Sequence, residues 1–227
     1  MIITNRMLEE YYNKETETLT LPIDFNFSLK DLPLGTKIII FEDKTIFDDN
    51  IYTIKGLNSI FNQPVDNLPN ALTHATFGYS FNQPVDNLPN SLTHATFGHN
   101  FNQRINNLPS ALTHATFGDC FNQPVDNLPS SLTHATFGHN FNQRIDNLPN
   151  KLTHLTVGCN FNQQIDNLPD SVIYLVLGHR FNKIVENLPL NLKEIKIANN
   201  KVNLLMIIPS NCTVLNEYNS KLDLIIL

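Results

Sequence analysis

From residue 61 onward one arrangement of apolar and polar positions recurs along the chain. In the unit 81–100, FNQPVDNLPNSLTHATFGHN, apolar side chains fall at Phe81, Val85, Leu88, Leu92, Ala95 and Phe97. Ala95 and Phe97 alternate with His94 and Thr96, the period of a strand that buries one face. Gly98 ends that strand. Pro89 has no N–H to give a ladder and holds φ near about −65°, so the Leu-Pro step belongs to an irregular return. The seven or eight residues of the return carry Asn, Pro and β-branched Val, which cannot nucleate a helix. Each unit therefore predicts one short strand and one extended return.

Seven such units follow one another without a gap, at 61–80, 81–100, 101–120, 121–140, 141–160, 161–180 and 181–200, and the copies at 81–100 and 121–140 differ only at Asn90 against Ser130. One 20-residue unit cannot bury its own apolar face, whereas stacked units bury a continuous core under a parallel sheet with neighbours about 4.8 Å apart. About ten coils would make a curved rod some 45–50 Å long. Like residues then stack on like. Phe61 to Phe181, every twentieth residue, form one column, and Phe77, Phe97, Phe117 and Phe137 a second. Glycine recurs at 78, 98, 118, 138, 158 and 178, where the turn needs either a positive φ or close backbone approach, and Ala198 replaces it in the seventh unit. The Asn62 to Asn182 row is expected to bond the return backbone or its own neighbours along the stack.

Decayed copies flank the array. Leu19, Leu21, Phe25-Asn26 and Leu32-Pro33 keep its landmarks, residues 41–60 read as a degenerate unit disturbed by insertions, and Pro209 lies 20 residues after Pro189. Three regions result: an N-terminal cap with degenerate repeats over 1–60, seven repeats over 61–200, and a degenerate last repeat with a cap strand over 201–227. Asn5 to Asn13 reads as a short capping helix, and Leu222 to Leu227 as a final strand with an open edge.

The strand LTHATFG, two variable residues and then FNQPVDNLP, as over 112–129, resemble the FNIP, or FGxxFN, repeat family, a variant of leucine-rich repeats found in amoebae and in giant viruses that infect them. The resemblance covers 61–200 tightly and 19–227 loosely. It implies a solenoid of mainly β structure, a leucine-rich-repeat-like horseshoe with its parallel sheet on the concave face and extended returns on the convex face. It also implies paired Phe columns in the core. Relatives join such repeats to an F-box, a kinase or a small GTPase. The stretch ahead of Leu19 is too short for any of these, so a ubiquitin-ligase adaptor role rests on family analogy alone.

Charge and composition narrow the functional classes. The 227 residues carry 15 Lys and Arg against 21 Asp and Glu, a net charge of −6, which lacks the basic footprint of a nucleic-acid binder. With 41% hydrophobic and 16% charged residues the chain is expected to fold rather than remain disordered. No run reaches 18 apolar residues, so no membrane span is expected. The opening residues have no secretory pattern, and Cys120, Cys159 and Cys212 read as free thiols; both point to the cytoplasm, the host's if the protein is viral.

The candidate chemistry lies on the strands. His74, His94, His114, His134 and His154 share one position, continued by Tyr174 and Glu194, with Thr76, Thr96, Thr116 and Thr136 beside them. This His/Thr stripe is the candidate binding face for a protein partner. A straight ladder converges poorly on one point, so no metal and no cofactor is expected. His99, His139 and His179 form a second row. Asp66, Asp86, Asp126, Asp146, Asp166 and Glu186 line the return, as a solvated face or as Asx turns. No catalytic motif appears, so the chain reads as a non-enzymatic interaction scaffold. The rival reading is a structural protein that assembles with itself through the terminal strand.

Overall fold

Eleven strands form a single sheet whose spatial order is nearly the order of the chain. A computed structural model describes residues 10–29, 32, 35–47, 54–197, 203–216 and 218–222. The strands are β1 (Tyr12–Asn13), β2 (Thr18–Leu21), β3 (Ile38–Phe41), β4 (Lys44–Phe47), β5 (Ile54–Leu57), β6 (His74–Thr76), β7 (His94–Thr96), β8 (His114–Phe117), β9 (His134–Phe137), β10 (His154–Thr156), β11 (Tyr174–Val176), β12 (Glu194–Lys196) and β13 (Thr213–Leu215). The main sheet runs β1-β2-β3-β6-β7-β8-β9-β10-β11-β12-β13. All its pairings from β2 to β13 are parallel and in register, so that His74 faces His94 and Ala75 faces Ala95. This is a parallel β-solenoid with a leucine-rich-repeat-like course, as the 20-residue period predicts.

The stretch 41–60 is not a coil of its own. β3 pairs directly with β6, and β4 and β5 form a separate antiparallel hairpin. Phe41 still stacks on Phe61 at 3.9 Å and lies 6.2 Å from Phe77, so the core passes the insertion uninterrupted. The hairpin enters at the turn after a strand, where an insertion displaces no buried side chain.

The ends also differ from expectation. Of the expected capping helix, Glu10 and Tyr11 are helical, whereas Tyr12 and Asn13 are strand β1, antiparallel to β2. The pairing covers the outer edge of the first parallel strand, as edge strands need. Beyond β13 the chain doubles back: Leu215 bridges Lys221, and the Leu222 N–H donates to the Val214 carbonyl at 2.9 Å. The remainder of the expected final strand, Asp223 to Leu227, lies outside the described residues, as do Asn5 to Glu9 and Ala198.

The core is two files of phenylalanine rings in contact. Phe61, Phe81, Phe101, Phe121, Phe141, Phe161 and Phe181 are all fully buried, and their ring centroids follow one another at 6.0–6.3 Å. Rings of the second file meet the first more closely, at 4.1–4.4 Å for Phe77–Phe81, Phe97–Phe101, Phe117–Phe121 and Phe137–Phe141. The second file ends at Phe137, where Val157, Leu177 and Ile197 take over as smaller buried residues.

Close approach, not backbone handedness, explains the glycine row, because no glycine among the described residues has a positive φ. A Cβ built on Gly118 would stand 2.1 Å from the Gly98 carbonyl oxygen and 2.8 Å from the His99 Cα. On the return, each Asn side chain accepts the backbone N–H of the Asn one coil on: Asn62 from Asn82, Asn82 from Asn102, and so on to Asn162 from Asn182, at 2.8–2.9 Å. Asn26 does the same for Asn62 across the inserted hairpin, at 3.0 Å. The asparagine row thus supplies the hydrogen bonds that a return without a second sheet would lack.

Candidate functional site

Strands β6 to β10 turn Ala or Leu inward and His and Thr outward, because side chains alternate across a strand. The five histidines therefore stand one above another on the sheet's outer face. Their rings stack nearly parallel, with centroids 4.1–4.2 Å apart and interplanar angles of 11–13°. Tyr174 continues the row but tilts, its ring 5.6 Å from that of His154. Thr76, Thr96, Thr116 and Thr136 form a parallel file two residues further along the strands, half-buried on the same face.

A third file, unassigned by the sequence pattern, supports the histidines. Thr73, Thr93, Thr113, Thr133 and Thr153 immediately precede them, and each Oγ1 lies 2.9 Å from the Nδ1 of the next residue's imidazole. The same hydroxyl lies 3.0–3.1 Å from a backbone carbonyl of the preceding coil, as Thr113 does from Thr93. The carbonyl can only accept and the hydroxyl has one proton, so both contacts are hydrogen bonds only when that proton points to the carbonyl. The threonine therefore donates to the carbonyl, and the imidazole Nδ1–H donates to the threonine. The signal was present in the sequence: where Tyr174 replaces His, Ile173 replaces Thr.

The environment opposes charging the three central rings. Partial burial holds the His94, His114 and His134 pKa values below the usual imidazole range, and the neighbouring histidines of the row lower them further. The unfolded chain then binds more protons than the native one below pH ~6.5. There is no penalty above that pH; stability falls as pH drops from it toward the folded values. Two charges 4 Å apart repel by about 1 kcal/mol in water and about 4 kcal/mol at an effective dielectric of 20. The half-exposed row sits toward the lower figure. We expect Tm to fall more from pH 7 to 5 in the wild type than in a variant with Gln at all five positions; equal falls, measured by calorimetry, would remove the row as the cause.

The other candidate groups are more ordinary. Tyr79 stacks on His99 at 4.4 Å, and His99 Nδ1 lies 3.3 Å from Asp119 Oδ2. The acidic row is a solvated face at Asp66, Asp86, Asp126 and Glu186, as expected, and it also links neighbouring coils. Asp66, Asp86 and Asp126 accept the side-chain amide of Asn87, Asn107 and Asn147 in the next coil at 2.9–3.1 Å. Arg144 pairs with Asp146 at 2.7 Å. Partial burial pushes the Asp166 carboxyl up, but the Asn187 N–H, the Gln164 amide and the Glu186 N–H outweigh it and hold the group below its usual range. Burial and the Glu194 charge raise the Cys212 thiol to about 11, so it is not a thiolate at neutral pH. Among the described residues no three His, Cys, Asp or Glu side chains are placed to hold a metal ion, and no helix is long and apolar enough to cross a membrane.

The FNIP Repeat family model matches residues 61–98, 84–120, 121–160, 141–179 and 161–200. Among solved structures, the chain is similar to the giant-virus protein CroV588, described as a novel circular LRR protein, with a TM-score of 0.50 and 35% identity over 88% of the present chain. It spans 40% of that chain's length. No curated protein matches it.

Proposed function

The chain belongs to the FNIP repeat family, and from that premise we propose that it is a non-catalytic scaffold that docks a protein partner on the His/Thr face of its sheet. Repeat solenoids of this kind are typically non-enzymatic and present rigid, regularly spaced side chains to a partner. The observation that carries the reading is the contrast between positions. The strand residues His74 to His154 and Thr76 to Thr136 are invariant from coil to coil, while the turn pairs 79–80, 99–100, 119–120 and 159–160 vary freely. Nothing in packing requires histidine at an outward position, since Tyr174 and Glu194 occupy it in later coils.

The test compares the wild type with a variant carrying Ala at all five histidines, its fold checked by circular dichroism. A partner captured by the wild type from an amoebal lysate should bind the variant at least about tenfold more weakly, a loss of ~1.4 kcal/mol or more. A partner retained equally by both would move the docking surface elsewhere on the solenoid.

A further inference from the structure

We propose that the five-histidine row is a rail of hydrogen-bond acceptors that takes the lysine and arginine side chains of its protein partner. This rests on the docking reading above and adds the chemistry of what docks. The hydrogen-bond network assigns the proton of each imidazole to Nδ1, because the threonine hydroxyl beside it gives its own proton to a carbonyl of the preceding coil. A neutral imidazole with its proton on Nδ1 has a bare lone pair on Nε2. Five such rings, stacked at 4.1–4.2 Å, therefore carry five acceptors in a line. The stacked rings keep their planes parallel, so the lone pairs run side by side and do not converge on one ion. Separate donors, one per rung, fit them better.

The surroundings of the row place no cation beside the central rings. From β6 to β10 the files flanking the histidines are threonine throughout, Thr73 to Thr153 on one side and Thr76 to Thr156 on the other, and hold no charge. Charged groups occur only at the ends. Lys37, one coil before Thr73, is paired with Glu17 at 2.5 Å. At the other end Glu194 follows Tyr174 in the histidine position, with Lys193 and Lys196 beside it. Lys196 lies over the Tyr174 ring there, its Nζ 5.8 Å from the ring centre. The net charge of −6 draws basic partners to the chain over longer range. Protonation would place a second N–H on Nε2, turn each acceptor into a cationic donor and release the partner.

The experiment uses full-length protein labelled with nitrogen-15 in histidine, at about pH 7.5, above the free imidazole pKa of ~6.5. Two-bond proton–nitrogen correlation spectra should show His94, His114 and His134 protonated at Nδ1 and bare at Nε2. The probe is an alternating Arg-Gly octapeptide, with the Glu-Gly octapeptide beside it, at about 0.15 M salt, where the Debye length is ~8 Å. The Arg peptide should shift those Nε2 signals and lose at least about tenfold in affinity, ~1.4 kcal/mol, for the His94→Phe, His114→Phe, His134→Phe triple variant, which keeps the stack and removes its acceptors. Protonated Nε2, equal binding of the Glu peptide, or Arg-peptide binding unchanged in the triple variant would each overturn the proposal. If protein capture still depended on the histidines while any of these held, the docking reading would stand and the acceptor rail alone would fall.

Discussion

Alanine at Gly118 is expected to destabilise the protein by at least about 3 kcal/mol, the upper end of what overpacking a buried site costs. The added Cβ would stand 2.1 Å from the Gly98 carbonyl oxygen and 2.5 Å from the Gly98 carbonyl carbon. Both belong to the backbone of the adjacent coil, so no side chain can swing aside. Relief requires the two coils to separate by about an ångström, and the coil spacing is set by the ladder itself. A lesion there weakens the coupling between the halves of a nearest-neighbour array. Amide exchange should accordingly rise in both β7 and β9, not in β8 alone. Gly35→Ala is the control: its Cβ would meet nothing closer than the Tyr12 hydroxyl at 3.8 Å, and it should be neutral or slightly stabilising, by up to about 1 kcal/mol. Urea unfolding of the two variants decides the matter. A Gly118→Ala cost below about 1 kcal/mol would mean that the coils are not stacked as closely as described.

Phe121→Ala is the second large effect, with an expected cost of about 3–5 kcal/mol. Phe121 is completely buried, touches the second file at Phe117 with rings 4.4 Å apart, and lies between Phe101 and Phe141 at 6.0 Å each. Its coil cannot collapse to fill the space, because the rings above and below are held at the pitch of the sheet. Phe27→Ala should cost much less, about 1 kcal/mol, since Phe27 is only partly buried and meets Phe25 edge-on at the end of the file. Similar costs for the two, in the same denaturation series, would deny that the stacked files are the core.

Much of this is legible in the chain alone. The phenylalanine columns, the glycine row and the asparagine row all follow from a period of 20, because a periodic chain can bury its apolar face only by stacking equal turns. Of the two readings open for glycine, close approach holds, and it depends on the distance between coils and not on any one residue. The inserted hairpin is less legible. Residues 41–60 read as a damaged coil because Phe41 and Phe61 are 20 apart, yet they belong to opposite files and stack on each other at 3.9 Å. Sequence spacing cannot distinguish a displaced coil from a loop inserted at a turn. The cap read as helix over Asn5 to Asn13 is helical at Glu10 and Tyr11 but strand at Tyr12 and Asn13, because only the exposed edge of β2 draws those two into the sheet.

The candidate face divides along the same line. That His74 to His154 share one outward row is determined by the sequence, since identical units in register must superpose identical side chains. The orientation and protonation of those rings are decided only by the tertiary structure. Thr113 precedes His114 in the chain, but the carbonyl that takes the threonine's proton belongs to Thr93, one coil away. Local pattern dictates which residues face out. The neighbouring coil dictates where their protons sit, because a hydroxyl with one proton and two partners is settled by whichever partner cannot donate.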